Sequence, residues 1–378
     1  MYNTDQRTVV TLDAGGTNLV FGAMRGCEFV VEPLTLPSQA HNLDLCLKTM
    51  VEGFRTIIRR LDRRPEAISF AFPGPADYAD GIVGGFLPNF PSFRQGVALG
   101  PFLSKTFGMP VFINNDGDLF AFGEATAGVL PEINARIAAM GGDRQFRNLL
   151  GYTFGTGLGV GSVVNGELNL GNNSCVETFC LPFKHNHGNM VEDFAAIRAI
   201  TRVYGELTGN PGHGLTPRDI CDIADGKADE VSGKEPTLEE TEAAREAFRR
   251  FGEAAGDAMA TAVTLTDSLI VLGGGLTGAS RHILPSLLKE LRSNLKTLDG
   301  SDVGRVQMKV FDLDDPLEFE QFVKGESRPL KVYGFDETVS YDPMKRTGVC
   351  LSRLGASRAI QIGAYTYALS RLDAINLR

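Results

Sequence analysis

Two segments of the chain share one pattern: an apolar run, a glycine turn and a second apolar run. The first is TVVTLDAGGTNLVFGAMRG (residues 8–26), and the second is NLLGYTFGTGLGVGSVVNG (residues 148–166). Apolar runs joined by glycine predict β-hairpins, because glycine adopts the backbone angles of a tight turn without steric cost. One hairpin early in each half of the chain indicates two duplicated domains that face each other across a cleft.

Other periodicities fit domains of the α/β class. A length of 378 residues favours two domains. Apolar spacing predicts helices over residues 43–61, 116–127, 238–263 and 357–372, and strands at AISFAF, PVFIN and residues 268–272. We expect a smaller domain of residues 1–114 plus a C-terminal helix at about 360–378, and a larger domain of residues 115–359 with an inserted segment at about 296–346.

The composition limits the function classes. A net charge of -9 disfavours nonspecific binding to nucleic acid or to an anionic membrane. The N-terminus lacks the basic and apolar regions of a signal peptide, and the chain has no apolar run long enough to span a membrane. Six cysteines without a CxxC motif do not suggest a disulfide framework. We expect a cytoplasmic protein with reduced thiols.

The glycine turns are candidate phosphate sites, although each one taken alone could be an ordinary turn. Backbone N–H groups of a glycine turn can approach a phosphate closely, and the neighbouring hydroxyl and amide side chains add donors. The carboxylate of Asp13 could hold Mg²⁺, or it could accept a hydrogen bond from its own backbone. Three such turns together favour a nucleotide in the cleft. The candidate nucleotide residues are Asp13, Gly15, Gly16, Thr17, Asn18, Gly155, Thr156, Gly157, Gly274 and Gly275.

A polar triplet, Asn114-Asn115-Asp116, lies where a predicted strand ends and a predicted helix begins. One interpretation is a helix N-cap, for which Asn and Asp are preferred. The other is a general base, since a carboxylate can take the proton of a sugar hydroxyl during phosphoryl transfer. The two interpretations are compatible, because a helix N-terminus is a rigid support that keeps a carboxylate ionised.

Taken in order, these motifs resemble the ROK family (repressor, open reading frame, kinase) of sugar kinases and regulators. The resemblance runs from Val9 to about Leu288 and again from Leu351 to Leu372. LDAGGTN and GTGLGVGSVVNGELNLG are similar to the two phosphate motifs, and IVLGGGLT is similar to the strand and turn on the adenosine side. The resemblance implies an actin-like, hexokinase-type fold of two α/β domains, with ATP, Mg²⁺ and a hexose as ligands.

The same resemblance assigns the sugar site. INNDGDLFAFGE is similar to the family segment E-N-D-A-N-x-A-A-x-G-E, which implies Asp116 as the catalytic base. FPGPAD followed by PNFP looks like the sugar-side loop. Glu177 and Glu192 match two family glutamates that grip sugar hydroxyls, although surface charge is the usual role of a glutamate. The implied sugar ligands are Gly74, Asn89, Asn115, Asp116, Glu177 and Glu192.

The segment CVETFCLPFKHNHGNMVEDF, residues 175–194, departs from the family pattern. Family members have G-E-I-G-H and then a cysteine cluster that binds structural zinc. Here Cys180 falls at the histidine position, and Phe183, His185 and Met190 fall at cysteine positions. Phe and Met are not ligands of ordinary zinc sites, so we expect no structural zinc.

An alternative for this segment is a different metal site built from Cys180, His185 and His187, and another is that a histidine replaces the missing sugar ligand. Without zinc, we expect packing of Phe179, Leu181 and Phe183 to hold the segment in place.

We therefore expect a glucokinase-like hexose kinase that acts as a homodimer. The alternatives are a fructokinase, a mannokinase or an N-acetylhexosamine kinase of the same family. A sugar-responsive repressor is disfavoured, because the first hairpin begins by Thr8 and leaves no space before it for a helix-turn-helix. A sugar sensor without catalysis is disfavoured by the presence of the complete base and phosphate motifs.

Overall fold

A computed structural model describes residues 2–228 and 233–376 of the chain. The strands are β1 (Val9–Ala14), β2 (Asn18–Arg25), β3 (Glu28–Phe29), β4 (Leu34–Pro37), β5 (Ala67–Ala71), β6 (Ala76–Asp77), β7 (Ile82–Val83), β8 (Val111–Asn114), β9 (Leu149–Phe154), β10 (Leu158–Val164), β11 (Glu167–Leu168), β12 (Pro182–Phe183), β13 (Asn186–Met190), β14 (Leu269–Gly273), β15 (Asn294–Lys296), β16 (Asp302–Gly304), β17 (Lys309–Asp312), β18 (Arg328–Lys331), β19 (Thr338–Tyr341) and β20 (Arg346–Leu351).

The structure describes eleven α-helices, and each of the four that the sequence predicted is confirmed to within a few residues at its ends. They are α1 (Leu43–Arg60), α2 (Leu99–Phe107), α3 (Asp116–Thr126), α4 (Val129–Ala139), α5 (Glu192–Ala195), α6 (Ile197–Leu207), α7 (Pro217–Ala224), α8 (Leu238–Thr266), α9 (Ser280–Leu291), α10 (Pro316–Lys324) and α11 (Ala356–Asn376). Short 3₁₀ turns cover Pro91–Phe93 and Gly275–Ala279. In the part of the chain that the structure describes, every helix is too short or too polar to span a bilayer.

The first sheet has the strand order β3-β2-β1-β5-β8, with β4 paired to β2. The predicted hairpin of β1 and β2 is antiparallel, whereas β5 and β8 run parallel to β1. Apolar side chains alternate between the two faces of the sheet. One face packs on α1 through a cluster that includes Phe21, Phe54 and Phe70, and the other packs on α11 through Tyr365 and Ile362.

Helices α3 and α11 approach each other so closely that two glycines are required at the contact. A Cβ atom on Gly123 would lie 2.1 Å from the carbonyl oxygen of Ala359, and one on Gly363 would lie 1.9 Å from that of Leu119. Real Cβ atoms do not come this close to backbone, so a larger side chain would push the helices apart. This contact fixes the direction in which α3 leaves β8, and therefore the position of Asp116 at the start of α3.

The second sheet repeats the topology of the first. Its order is β11-β10-β9-β14-β20-β17, and β14 runs parallel to both β9 and β20. Each sheet contains its own hairpin. The first strand of that hairpin pairs with a parallel strand, β5 or β14, and a further parallel strand, β8 or β20, lies next to it. The duplication inferred from the glycine patterns is therefore confirmed at the level of strand order.

The segment predicted to be an insertion, residues 296–346, is more integrated than the sequence suggested. Strand β17 lies inside it and pairs in parallel with β20 at the edge of the second sheet. The parts that lie off this sheet are α10 and two antiparallel hairpins, β15–β16 and β18–β19. In the sequence, β17 and the strands of these hairpins all appear as short apolar runs between turn residues, so the sequence did not show that β17 belongs to the main sheet.

The chain divides into two compact units. The first comprises Met1–Glu132, Gly161–Val176 and Ser352–Arg378, and the second comprises Ile133–Val160 and Glu177–Leu351. We expected the smaller domain to end at residue 114, but the first unit continues through α3. Since α3 packs on α11, the helix that carries Asp116 belongs to this unit.

Candidate active site

The first glycine turn, residues 15–17, joins β1 to β2 and is held in shape by hydrogen bonds on both sides. The backbone N–H of Gly15 donates to the carbonyl of Asn18 at 2.9 Å. From outside the hairpin, the buried Ser38 donates its hydroxyl to the carbonyl of Gly16 and its N–H to that of Thr17. The side chains of Thr17 and Asn18 remain exposed, so their donors can meet a ligand. No sequence pattern had pointed to Ser38.

Two carboxylates approach each other beside this turn. Asp13 lies near the end of β1, and Asp116 is the first residue of α3, directly after β8. Because β1, β5 and β8 are parallel, their carboxyl ends meet at one edge of the sheet. Asp13 is exposed to solvent, but partial desolvation of its carboxyl raises the pKa, and the negative charge of Asp116 raises it further. The structure thus brings the predicted metal ligand and the predicted base together.

Asp116 is held by local hydrogen bonds at the start of α3. The Asn115 side chain caps this helix by accepting the N–H of Asp118 at 2.6 Å, and an Asp116 oxygen accepts the N–H of Gly117 at 2.9 Å. Asp116 is nevertheless exposed. The N-cap interpretation of Asn115 is therefore confirmed, and the carboxylate of Asp116 remains accessible to a substrate hydroxyl.

The loop predicted to bind sugar lies directly against the first glycine turn. A Cβ atom on Gly16 would be 3.0 Å from the Cβ of Asn89, so glycine permits this close approach. The loop is anchored because Phe90 and Phe93 are fully buried against Phe72, with ring centroids 4.6 and 5.1 Å away. Asn89 itself is exposed. Gly74 is close to Tyr78, whose hydroxyl would lie 3.0 Å from a Cβ at that position.

In the second unit, the turn Gly155-Thr156-Gly157 is held by Glu192 and Arg198. The N–H of Leu158 donates to Glu192 Oε2 at 3.0 Å, and a Cβ on Gly157 would lie only 2.8 Å from that oxygen. Arg198 donates to the carbonyl of Thr156 at 3.1 Å and to Glu192 Oε1 at 2.9 Å. Glu192, predicted as a sugar ligand, thus supports the second glycine turn, and its role as a sugar ligand stays a prediction. No sequence motif had singled out Arg198.

The third glycine turn packs on the second. Gly274 has a φ of +91°, and a Cβ atom there would lie 2.3 Å from the carbonyl oxygen of Phe154, the residue before Gly155. Only glycine combines this backbone conformation with this contact. A Cβ atom on Gly275, by contrast, would meet nothing within 4 Å. The two predicted nucleotide turns of the second unit therefore form one continuous surface.

Glu177 is half-buried. It is the first residue of the 175–194 segment that belongs to the second unit. It lies near the fully buried Tyr152 of β9. Burial raises the pKa of the Tyr152 phenol, the Thr178 hydroxyl opposes that change, and the charge of Glu177 adds to it. Glu177 therefore lies in a loop close enough to β9 for its charge to act on Tyr152.

The remainder of the segment forms the hairpin β12–β13, which is held by packing and by ion pairs. Phe183 is buried and stacks on Phe194 at 4.3 Å, and Leu181 is partly buried against the same core. Phe179 is exposed, so its predicted packing role is wrong. Lys184 pairs with Glu253 at 2.9 Å and with Glu290 at 2.6 Å.

The ligand-type side chains of the segment are placed as follows. His185 pairs with Glu253 at 2.9 Å, and both Cys180 and His187 are exposed. Within residues 2–228 and 233–376, three potential metal ligands meet at Cys221, Asp225 and His282, which are not part of this segment. Arg281 already pairs with Asp225 there. The absence of structural zinc stays a prediction, which metal analysis of the purified protein can test.

The ion pairs beneath the hairpin predict a loss of stability in acid. Burial alone would raise the pKa of Glu253, but hydrogen bonds from His185 and Lys184 outweigh it and lower the pKa from 4.5 to about 2. A carboxyl with a lowered folded-state pKa stabilises the fold above its unfolded pKa and loses that contribution as the pH falls. Denaturant unfolding should show this contribution disappearing between pH 4.5 and about 2.

Lys184→Met tests whether Lys184 stabilises the fold through its ion pairs with Glu253 and Glu290. It leaves two partly buried carboxylates without this cation, so the free energy of unfolding at pH 7 should fall by about 1–3 kcal/mol, with a weaker dependence on pH in acid. The matched control is Lys289→Met, which removes an exposed lysine next to Glu290 in α9. Equal losses in the two variants would contradict a specific role for Lys184.

Comparison with known proteins agrees with this geometry. The ROK family model matches residues 9–310, and the chain belongs to the ROK family. A glucokinase from Streptomyces coelicolor is 24% identical over 306 residues, which cover 75% of this chain and 86% of that protein.

Solved structures show the same fold. The crystal structure of a glucokinase from Parabacteroides distasonis is 50% identical, covers 98% of this chain and 99% of that chain, and superimposes with a TM-score of 0.88. A ROK hexokinase from Thermus thermophilus, 20% identical with 97% and 99% covered, superimposes with a TM-score of 0.64. The fold is therefore the actin-like, hexokinase-type α/β fold.

Proposed function

We propose that the chain transfers the γ-phosphoryl group of ATP to a hydroxyl of glucose, with Asp116 as the general base. The class of activity, an ATP-dependent hexose kinase, follows from the family and from glucokinase relatives that align over most of the chain. The observation that carries the residue assignment is that β1 and β8 run parallel to β5 and end at one edge of the sheet, which places Asp13 and Asp116 beside the first glycine turn. A base and a metal-binding carboxylate at one end of a phosphate site are what in-line phosphoryl transfer requires.

Each part of the first unit has a chemical role in this proposal. Asp116 accepts the proton of the attacking hydroxyl, and Asn89 and Asn115 orient the sugar. Asp13 offers a solvent-accessible oxygen donor of the type that Mg²⁺ prefers, so it fits the ion that accompanies ATP. Such an ion would neutralise charge on the phosphates. Gly74 allows the sugar-side loop to turn closely around Tyr78.

The second unit supplies the remaining ligands. We assign Gly155, Thr156 and Gly157 to the phosphates, Gly274 and Gly275 to the adenosine side, and Glu177 and Glu192 to the sugar hydroxyls. Gly15, Gly16, Thr17 and Asn18 complete the phosphate contacts in the first unit. Because ATP is consumed, we also place the enzyme in the cytoplasm, and we expect it to act as a homodimer.

A coupled assay for ADP release with MgATP and a panel of hexoses tests the proposal. We expect the highest kcat/KM with glucose. An N-acetyl-D-glucosamine kinase from Yersinia enterocolitica is 28% identical over 170 residues, so N-acetylglucosamine belongs in the panel with mannose and fructose. A higher kcat/KM for one of these would overturn the choice of glucose, and no stimulation by any sugar would overturn the kinase assignment.

Glu192→Gln separates the two roles of this side chain. The amide oxygen can still accept the N–H of Leu158, but the negative charge is lost. If Glu192 grips the sugar, the KM for glucose should rise about 10-fold or more while the KM for ATP changes little. Arg198→Met is the comparison: it removes the ion pair with Glu192 and the hydrogen bond to the Thr156 carbonyl but keeps the carboxylate, so it should raise the KM for ATP and leave the KM for glucose near the wild-type value. A rise in the KM for ATP alone would limit Glu192 to supporting the phosphate turn.

A further inference from the structure

Two arginine side chains of the second unit meet on a pair of stacked aromatic rings. Arg346 is the first residue of β20, and Arg144 lies in the connection between α4 and β9. The Cζ atom of Arg346 lies 5.7 Å from the ring centroid of Phe322, and that of Arg144 lies 5.1 Å from the ring centroid of Phe146. The two rings stack with their centroids 5.1 Å apart, so the two guanidinium groups are neighbours.

The connection that carries Arg144 is held in place on both sides of the arginine. The side chain of Asn134 in α4 accepts the N–H of Phe146 and donates to the carbonyl of the same residue, both at 2.9 Å. Arg144 itself donates its Nη1 to the carbonyl of Met344 at 3.3 Å. The half-buried guanidinium of Arg144 is therefore fixed close to Arg346 before any ligand binds.

The two arginines leave several hydrogen-bond donors unused. Arg346 is 4% exposed, and its Nη1 donates to Asp342, whereas its Nε is buried without a partner among the described residues. The Nη2 of Arg346 and the Nε and Nη2 of Arg144 also make no hydrogen bond within the described ranges, but these three nitrogens keep contact with solvent. Buried guanidinium donors are normally satisfied. The unused donors therefore indicate an acceptor that comes from outside the chain.

Two carboxylates act on Arg144, and neither of them neutralises it. Asp342 is fully engaged, because it accepts two backbone N–H groups and the Nη1 of Arg346. Asp267 is exposed and makes no hydrogen bond with Arg144 in the part of the chain that the structure describes. Burial lowers the pKa of the Arg144 guanidinium, and the positive charge of Arg346 lowers it further. Two like charges are thus held close together, which is unfavourable unless an anion binds to both.

We propose that Arg144 and Arg346 together bind a phosphate group. A carboxylate can be satisfied by one guanidinium, whereas a phosphate has enough oxygens for two of them and a charge that matches both. Lys345, next to Arg346 in the chain, and Glu326, whose N–H donates to Asp342, are exposed and opposite in charge, so they leave the net charge unchanged. The inference concerns a second site and does not depend on the proposed activity.

Isothermal titration calorimetry with inorganic phosphate, at constant ionic strength against chloride, tests the site. Arg144→Met should raise the Kd of this site about 10–100-fold, because charge-assisted hydrogen bonds are lost. Arg147→Met is the matched control, since Arg147 is an exposed arginine of the same connection that makes no hydrogen bond or ion pair with the described residues. It should bind phosphate as the wild type does. Phosphate that binds at the glycine turns is the same in both variants, so the difference between them reports this site alone.

Thermal unfolding separates a ligand site from a purely structural pair of arginines. The measured quantity is the rise in Tm when phosphate replaces chloride, because a ligand that binds only the folded state stabilises it. This rise should be equal in the wild type and in Arg147→Met, and clearly smaller in Arg144→Met. A contribution of Arg144 to the fold itself would lower the Tm of Arg144→Met in both buffers and would cancel from this difference.

A parallel series with glucose 6-phosphate distinguishes the source of the phosphate group. A larger discrimination between Arg144→Met and Arg147→Met with this ester than with inorganic phosphate would identify a sugar phosphate as the ligand, and equal discrimination would identify phosphate itself. If all three proteins respond alike to both probes, the proposal is wrong. Kinase activity is not measured, so that failure is distinct from a failure of the proposed function.

Discussion

Asp116→Asn is expected to lower kcat by about 10²–10⁴-fold, while the affinity for glucose stays close to that of the wild type. The amide cannot take the proton of the attacking hydroxyl, but it keeps an oxygen that can accept the N–H of Gly117, as Asp116 Oδ1 does. The cap of α3 is made by the neighbouring Asn115 and is not altered. Single-turnover kinetics and isothermal titration with glucose separate the two quantities.

The control for this variant is Asp44→Asn. Asp44 lies in the first turn of α1, which is also capped by an asparagine, so both changes remove one charge near a helix N-terminus. This interaction is worth about 0.3–1 kcal/mol, so Asp44→Asn should lose about that much stability, and Asp116→Asn should lose less because the repulsion with Asp13 disappears as well. Only Asp116→Asn should lose turnover. Full kcat in Asp116→Asn, or loss of glucose binding with normal turnover at saturation, would disprove the assignment as base.

Gly274→Ala is expected to destabilise the second unit by about 2–4 kcal/mol and to raise the KM for ATP. The residue has a φ of +91°, and its new Cβ would be 2.3 Å from the carbonyl oxygen of Phe154. Since the atom in the way is backbone, β9 or the third turn must move. That movement would separate the two nucleotide turns. Denaturant unfolding and ATP titration measure the two effects.

The neighbouring Gly275→Ala is the control for stability. A Cβ at Gly275 meets no atom within 4 Å, and its φ is not positive. The free energy of unfolding should therefore change by no more than about 1 kcal/mol in either direction. If the two alanine variants were equally stable, the close contact between Gly274 and Phe154 would not be a constraint on the fold.

In the segment at residues 175–194, ion pairs connect the hairpin β12–β13 to two helices. Its hairpin packs through Phe183, and Lys184 connects the hairpin to Glu253 of α8 and Glu290 of α9. The lysine is flanked by carboxylates with which it forms short contacts. We expect this cluster to hold the loop between Glu177 and Glu192 in place, which is the role that zinc has in the family pattern.

Local patterns were sufficient for much of the fold. Alternating apolar runs predicted the hairpin of β1 and β2, and helical spacing predicted α1, α3 and α8. These features depend on residues close together in sequence. The same reasoning failed for residues 296–346, where β17 is a strand of the main sheet. Pairing between β17 and β20 is a long-range contact that leaves little trace in a short window of sequence.

The order of residues along the chain establishes which kinds of group this protein offers: glycine turns after strands, a carboxylate after an asparagine cap, and two glutamates in one segment. Which of these groups act together depends on the folded arrangement. The parallel strands β1 and β8 place Asp13 near Asp116. Ser38 supports the first glycine turn, and Arg198 together with Glu192 supports the second. The physical reason is that hydrogen bonds and charge interactions depend on distance in space, whereas a sequence pattern reports only the periodicity and propensity of neighbouring residues.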